Sequence, residues 1–159
     1  MHSVNVPVPG DIVRLARGLA SECLTATPRR GHSLVVKRLP DERLRGMVPE
    51  IRAVLDGVDP FEIRIEEVDQ FRQPPTGTAP VAYLAVDSPG LEQLHRDLCE
   101  VFDPVAGFEG KEYDPHVTIA RGGDAASLLG REIEPREWTV DRLAVWHPGR
   151  EMEVESIAL

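Results

Sequence analysis

Cysteine and lysine are both scarce in this chain, and each scarcity excludes something. The two cysteines, Cys23 and Cys99, fall in helix-like stretches with no CxxC or Cys/His spacing. That removes a disulfide framework and a cysteine-based metal site and leaves two small core residues. Only Lys37 and Lys111 are lysine among 18 basic residues, which face 27 acidic ones, so this is an acidic protein with a formal net charge of −9. A broad basic surface for gripping nucleic acid is excluded, because such binding needs many cations against phosphates. Any nucleic acid must be held locally.

Long apolar runs are lacking too. The longest, Val81 to Val86, is far too short to span a bilayer, and the N-terminus lacks the basic-then-apolar pattern of a signal peptide. A cytoplasmic protein without a membrane partner is expected. Three of the five histidines take a structural reading: His2 is terminal, His95 lies on the apolar side of a helix, and His147 sits in a Pro-Gly turn. None has a partner at ligand spacing, so no metal and no cofactor is expected. What remains is ordinary globular material, 42% hydrophobic and 28% charged over 159 residues. That length fits one domain able to bury its own core as a monomer.

The organisation is a repeat. Val4, Val6 and Val8 alternate as in a strand that Pro7 makes short or peripheral, and Ile12, Leu15, Ala16, Leu19 and Cys23 then recur at helical spacing. A loop, Thr25 to Gly31, leads into the strand His32 to Val36. After the turn-rich stretch Gln73 to Pro80 the order returns: strand Val81 to Val86, a helix opened by Ser88 and Pro89, and a loop delivering the strand His116 to Ala120. Each histidine strand is followed by a helical stretch, Pro40 to Leu55 and a shorter one after Asp124, the first interrupted by Gly46 and Pro49. Two further strands come next, over 61–68 and 138–145, in which the apolar alternation slips by one residue as a bulge would make it. A last strand runs from Met152 to Ile157. The pattern predicts a mainly antiparallel α+β fold in a single bilobal domain over 1–159, with a first repeat over 1–72 (His32 to Val35) and a second over 80–159 (His116 to Ile119).

Side chains two apart on a strand share a face, so His116 and Thr118 point one way while Val117 and Ile119 enter the core. An imidazole beside a hydroxyl suits a phosphoryl group, with one group to move protons and one neutral donor for non-bridging oxygens. Two imidazoles related by an internal two-fold serve as general acid and general base on opposite sides of one phosphorus. Lys37 and Arg121 each stand five positions after a histidine, and Arg29, Arg30 and Tyr113 lie in the loops that precede the two histidines.

With its HSLV and HVTIAR segments the chain resembles the 2H phosphoesterases, the 2′-5′ RNA ligase-like or cyclic phosphodiesterase superfamily, whose signature is two copies of H-x-[ST]-hydrophobic. HVTIAR, His116 to Arg121, matches the second copy, and the likeness spans Val4 to Val145. The first copy departs from the pattern, with Leu34 where the family has Thr or Ser. The resemblance implies two pseudo-symmetric lobes around a central cleft. It also implies hydrolysis of a 2′,3′-cyclic phosphate or related ribose phosphodiester of an RNA end or nucleotide. His32 and His116 would be the catalytic pair, with Thr118, Arg121, Lys37, Arg30 and Tyr113 holding substrate. The alternative is a module of the same fold that binds RNA ends or nucleotides without turning them over.

Overall fold

In the computed structural model, which describes residues 1–41 and 43–159, the strands divide into two antiparallel sheets. The first sheet takes β1 (Ser3–Val6), β3 (Leu34–Arg38), β8 (Arg142–His147) and β9 (Met152–Ala158), in the order β3-β1-β8-β9. The second takes β2 (Thr27–Pro28), β4 (Phe61–Phe71), β5 (Val81–Asp87), β6 (His116–Arg121) and β7 (Arg136–Val140), in the order β2-β6-β5-β4-β7. The orders β3-β1-β8 and β6-β5-β4 are one arrangement built twice. Each half of the chain also lends strands to the other sheet, β2 and β4 from the first half and β8 and β9 from the second, so both halves contribute to both sheets.

Two expectations are corrected here. Residues 138–145 are not one bulged strand: β7 pairs with β4, the chain breaks at Asp141, and β8 pairs with β1. The slip in alternation marks a crossing between sheets, where the Asp141 carbonyl accepts the Leu159 N–H at 2.9 Å. In β4 the slip is a true bulge, between Ile65 and Glu67. The stretch 25–31 is not all loop either, because β2 lines the free edge of β6. Pro7 makes β1 short, not peripheral, since β1 lies between β3 and β8.

Three helices cover the sheets. Helix α1 (Gly10–Ala20) buries Ile12, Ala16, Leu19 and Ala20, the stripe a 3.6-residue period creates, and packs on β6. Helix α2 (Leu44–Leu55) is continuous despite Pro49. Helix α3 (Pro89–Val101) starts where the Ser88 hydroxyl accepts the Leu91 N–H at 3.2 Å, and it packs on β3 and β4. The strand expected from His32 starts only at Leu34, so His32 precedes β3 whereas His116 opens β6; Leu34 and Val36 of β3 and Val117 and Ile119 of β6 are all fully buried.

A polar clamp fixes the segment before β2. The Asp124 carboxylate accepts the backbone N–H groups of Leu24, Thr25 and Ala26 at 2.7 to 2.9 Å, which holds its pKa far below the usual carboxylate range. Gly123 makes this possible: its φ is +47°, and a Cβ there would lie 2.5 Å from the Thr25 carbonyl carbon. Among the described residues no helix is long and apolar enough to cross a membrane.

Candidate active site

On β6, His116 and Thr118 share the partly exposed face while Val117 and Ile119 are buried, the alternation expected of the HxT segment. Across β5, Ala85 stands opposite His116 and Tyr83 opposite Thr118. The His116 ring meets Phe71 edge-on at 4.9 Å and lies 5.2 Å from Tyr83. Its Nδ1 is 2.7 Å from the Asp114 carbonyl, which only accepts, so Nδ1 carries the hydrogen and Nε2 presents a lone pair in the neutral ring. Burial pushes the His116 pKa below its ordinary value; the contacts to Asp114 oppose this, and the charges of Arg38 and Arg121 add to it.

The first motif is built differently from the expectation. Both motif strands carry a bulge: on β6 it falls at Ile119, between Ala120 opposite Ala82 and Thr118 opposite Tyr83, and on β3 at Val36, between Lys37 opposite Val4 and Val35 opposite Asn5. Aligning the bulges makes Val35 the counterpart of Thr118, Leu34 of Val117 and Ser33 of His116. The first H-x-T is therefore Ser-Leu-Val in structural register, and Leu34 is a core residue, not a cleft residue lacking its hydroxyl. His32 stands one step before the equivalent position. Its Nδ1 donates to the Thr118 carbonyl at 3.2 Å, so its ring crosses onto β6, and its Nε2 is buried with no partner among the described residues. Burial lowers its pKa; the Thr118 bond opposes this and the charges of Arg17 and Arg29 reinforce it.

A cavity of about 710 Å³ opens between the sheets beside this point. Asn5, Ala144 and Trp146 line it from the first sheet, Arg121 from the second, and Arg29, Arg30 and His32 from the connecting segment. The cavity brings together His32, Arg30 and Arg121, whereas His116 and Thr118 stand on the adjoining part of β6. Arg121 is tethered by a bond from Nη1 to the Thr76 carbonyl at 2.9 Å.

Two expected substrate contacts are corrected. Lys37 is fully buried, and its ammonium spends its donors inside on Glu109 Oε1 at 2.7 Å, the Arg38 carbonyl at 2.7 Å and the Asp103 carbonyl at 3.1 Å. The bulge at Val36 turns Lys37 inward and gives the next residue, Arg38, the place equivalent to Arg121. Tyr113 donates its hydroxyl to the Val35 carbonyl at 2.9 Å and stacks on His95 at 3.7 Å, so it braces β3 and has no free donor. His95 is more than a core histidine: Nδ1 donates to the Val36 carbonyl at 2.7 Å and Nε2 accepts the Gly110 N–H at 3.0 Å. Three successive positions of β3 are thus tied to the segment 103–113 or to the helix before it.

Sequence reasoning missed Ser33, Val35, Arg38, Asn5 and Trp146. Arg38 follows Ser33 at the interval by which Arg121 follows His116, but that count starts from bulges that only strand pairing reveals. Among the described residues no three His, Cys, Asp or Glu side chains cluster as metal ligands do.

Comparison with known proteins agrees with this architecture. The sequence model of the 2′-5′ RNA ligase superfamily matches residues 33–151. No curated protein matches the chain. Among solved structures, TT0787 of Thermus thermophilus superposes with a TM-score of 0.68 at 19% identity, covering 99% of this chain and 97% of that one. A structure described only as a phosphoesterase gives 0.68 at 17% identity, with 99% and 97% covered. LigT of E. coli complexed with NADP+ gives 0.67 at 17% identity, with 99% and 96% covered. At these identities the likeness is one of fold.

Proposed function

The chain belongs to the 2′-5′ RNA ligase superfamily, the 2H phosphoesterases, and from that premise we propose that it hydrolyses a 2′,3′-cyclic phosphate or related ribose phosphodiester of an RNA end or nucleotide, using two imidazoles and no metal. The observation that carries this reading is the bond from His32 Nδ1 to the Thr118 carbonyl, which brings a second imidazole onto the strand that presents His116 and Thr118. His116 offers a lone pair at Nε2 and takes the proton of the attacking water as the new P–O bond forms. Protonated His32, whose Nε2 must first come out of its buried position, donates to the leaving ribose oxygen as the old P–O bond breaks, and the two rings then exchange their protons with solvent. Thr118 donates to a non-bridging oxygen, and Arg121 and Arg30 balance the phosphate charge. Incubation with 2′,3′-cyclic nucleotides in chelator should give nucleoside monophosphate. His116→Ala should slow turnover at least about 100-fold. Full activity in His116→Ala, or product only with added divalent ion, would refute the reading.

A second reading, a nucleotide- or RNA-end-binding module, is favoured by one observation: Ser33 and Val35 stand where a symmetric site has its second imidazole and hydroxyl. Saturable binding of a cyclic nucleotide without any product would select it.

A further inference from the structure

We infer that Arg38 is a substrate-phosphate ligand, the counterpart on β3 of Arg121 on β6, so that the cleft grips its phosphate with a guanidinium from each sheet. The inference rests on the preceding reading in one respect, that a phosphate enters the cleft.

Position is the first argument. Arg38 pairs with Ser3 and Arg121 with Val81, and both residues come two places after the bulge of a motif strand. The internal two-fold therefore aims the two side chains alike, one from each lobe. The segment HSLVVKR hides this relationship, because counting from His32 singles out Lys37, which is consumed in the interior.

The second argument is an unmet charge. Arg52, Arg64, Arg131, Arg136 and Arg142 are each ion-paired at the surface, whereas the half-buried Arg38 guanidinium makes no ion pair and no hydrogen bond among the described residues. The carboxylate that is near is already committed. Glu109 places Oε1 on Lys37 and on the Val105 N–H, and Oε2 on the backbone N–H of Arg38 at 2.7 Å. Glu109 thus holds the Arg38 main chain and leaves its side chain unpaired. A half-desolvated cation without a partner costs free energy until an anion arrives.

Orientation is the third argument. The Phe108 ring lies under the guanidinium, 4.4 Å from Cζ to the ring centre, which fixes its plane and leaves the N–H edges free for a forked bond to phosphate. The charge is also near enough to His116 to push that imidazole's pKa down.

The test combines Arg38→Ala and Arg38→Lys with a nuclear magnetic resonance titration of the His116 ring by inorganic phosphate and by a nucleoside 3′-monophosphate, alongside turnover of cyclic nucleotide. Arg38→Ala should weaken both anions at least about ten-fold, and Arg38→Lys, which keeps the charge but not the fork, should fall between. In Arg38→Ala without ligand the His116 pKa should rise, because a repelling charge is gone, an effect that a merely structural brace on Phe108 does not produce. If the alanine variant does not fold, the lysine variant decides by its phosphate affinity. Unchanged phosphate affinity in the variants, or no phosphate binding by the wild type, overturns the inference. The enzyme reading is judged separately: phosphate affinity lost with Arg38 in a protein that turns nothing over would sink hydrolysis and keep Arg38.

Discussion

Ser33 on the approach to β3 and His116 on β6 occupy equivalent places, each three residues before the bulge of its strand, and only one of them is an imidazole. The missing ring is not far away, because His32 is next in sequence and its Nδ1 bonds the Thr118 carbonyl. This arrangement has consequences for pH. His116 must be neutral to act as base and His32 protonated to act as acid, and burial lowers both pKa values from 6.5. In the free protein, kcat/KM should therefore peak on the acidic side of pH 6.5 and fall on both flanks, as a log-rate profile with a cyclic nucleotide would show. A plateau extending above pH 8 would contradict this assignment of roles.

The Lys37–Glu109 pair gives a stability prediction. Both side chains are fully buried at 2.7 Å, and Glu109 also receives two backbone N–H groups. Lys37→Met strands a buried carboxylate and should cost about 3 to 5 kcal/mol in denaturant unfolding. A cost under about 1 kcal/mol would mean that water reaches Glu109 once the ammonium is gone.

Much of the fold was legible because it is local. Alternation at Val117 and Ile119, the Ser88 cap and the α1 stripe are each decided by residues within a few positions, and the duplicated order follows from them. The part that was not legible depends on tertiary register. Whether β3 is counted from His32 or Ser33 shifts every side chain to the opposite face, and the fact that settles it, the bulge at Val36, is visible only against β1. Lys37 illustrates the cost: its partner Glu109 is 72 residues away, so nothing near Lys37 announces that it turns inward. The candidate site was half legible for the same reason, its β6 half being set by HVT itself and its β3 half by pairing.

Acid should weaken the fold through His95. The buried ring accepts the Gly110 N–H at Nε2, and burial holds its pKa below 6.5. A base with a depressed folded-state pKa leaves the unfolded chain binding more protons, so its contribution is intact above about pH 6.5 and is lost as pH falls towards the folded-state value. His32 and His116 act in the same direction. Unfolding free energy should therefore decline from pH 7 to 5, and His95→Gln, which removes one titrating ring, should flatten the slope in denaturant melts. An unchanged slope in a folded variant would remove His95 from this account.

The most direct test of the shifted motif is to rebuild it. Leu34→Thr, the change that counting from His32 suggests, puts a hydroxyl into the core at a fully buried position and should cost about 2 to 5 kcal/mol without gain in activity. Ser33→His with Val35→Thr is the change that the bulge register suggests. Both residues are only half-buried, Val to Thr keeps the β-branched shape, and Tyr113 holds Val35 by its main-chain carbonyl, which the substitution leaves in place. The double variant should fold and raise turnover of cyclic nucleotide at least about ten-fold, because it supplies an imidazole and a donor opposite His116 and Thr118. Making the same double change in His32→Ala separates the remaining possibilities. If His32 is the working acid, its loss should abolish turnover in the parent and Ser33→His should restore it. If the rebuilt motif rescues nothing in a folded protein, then β3 does not face the phosphorus that His116 serves, and the two-imidazole mechanism falls.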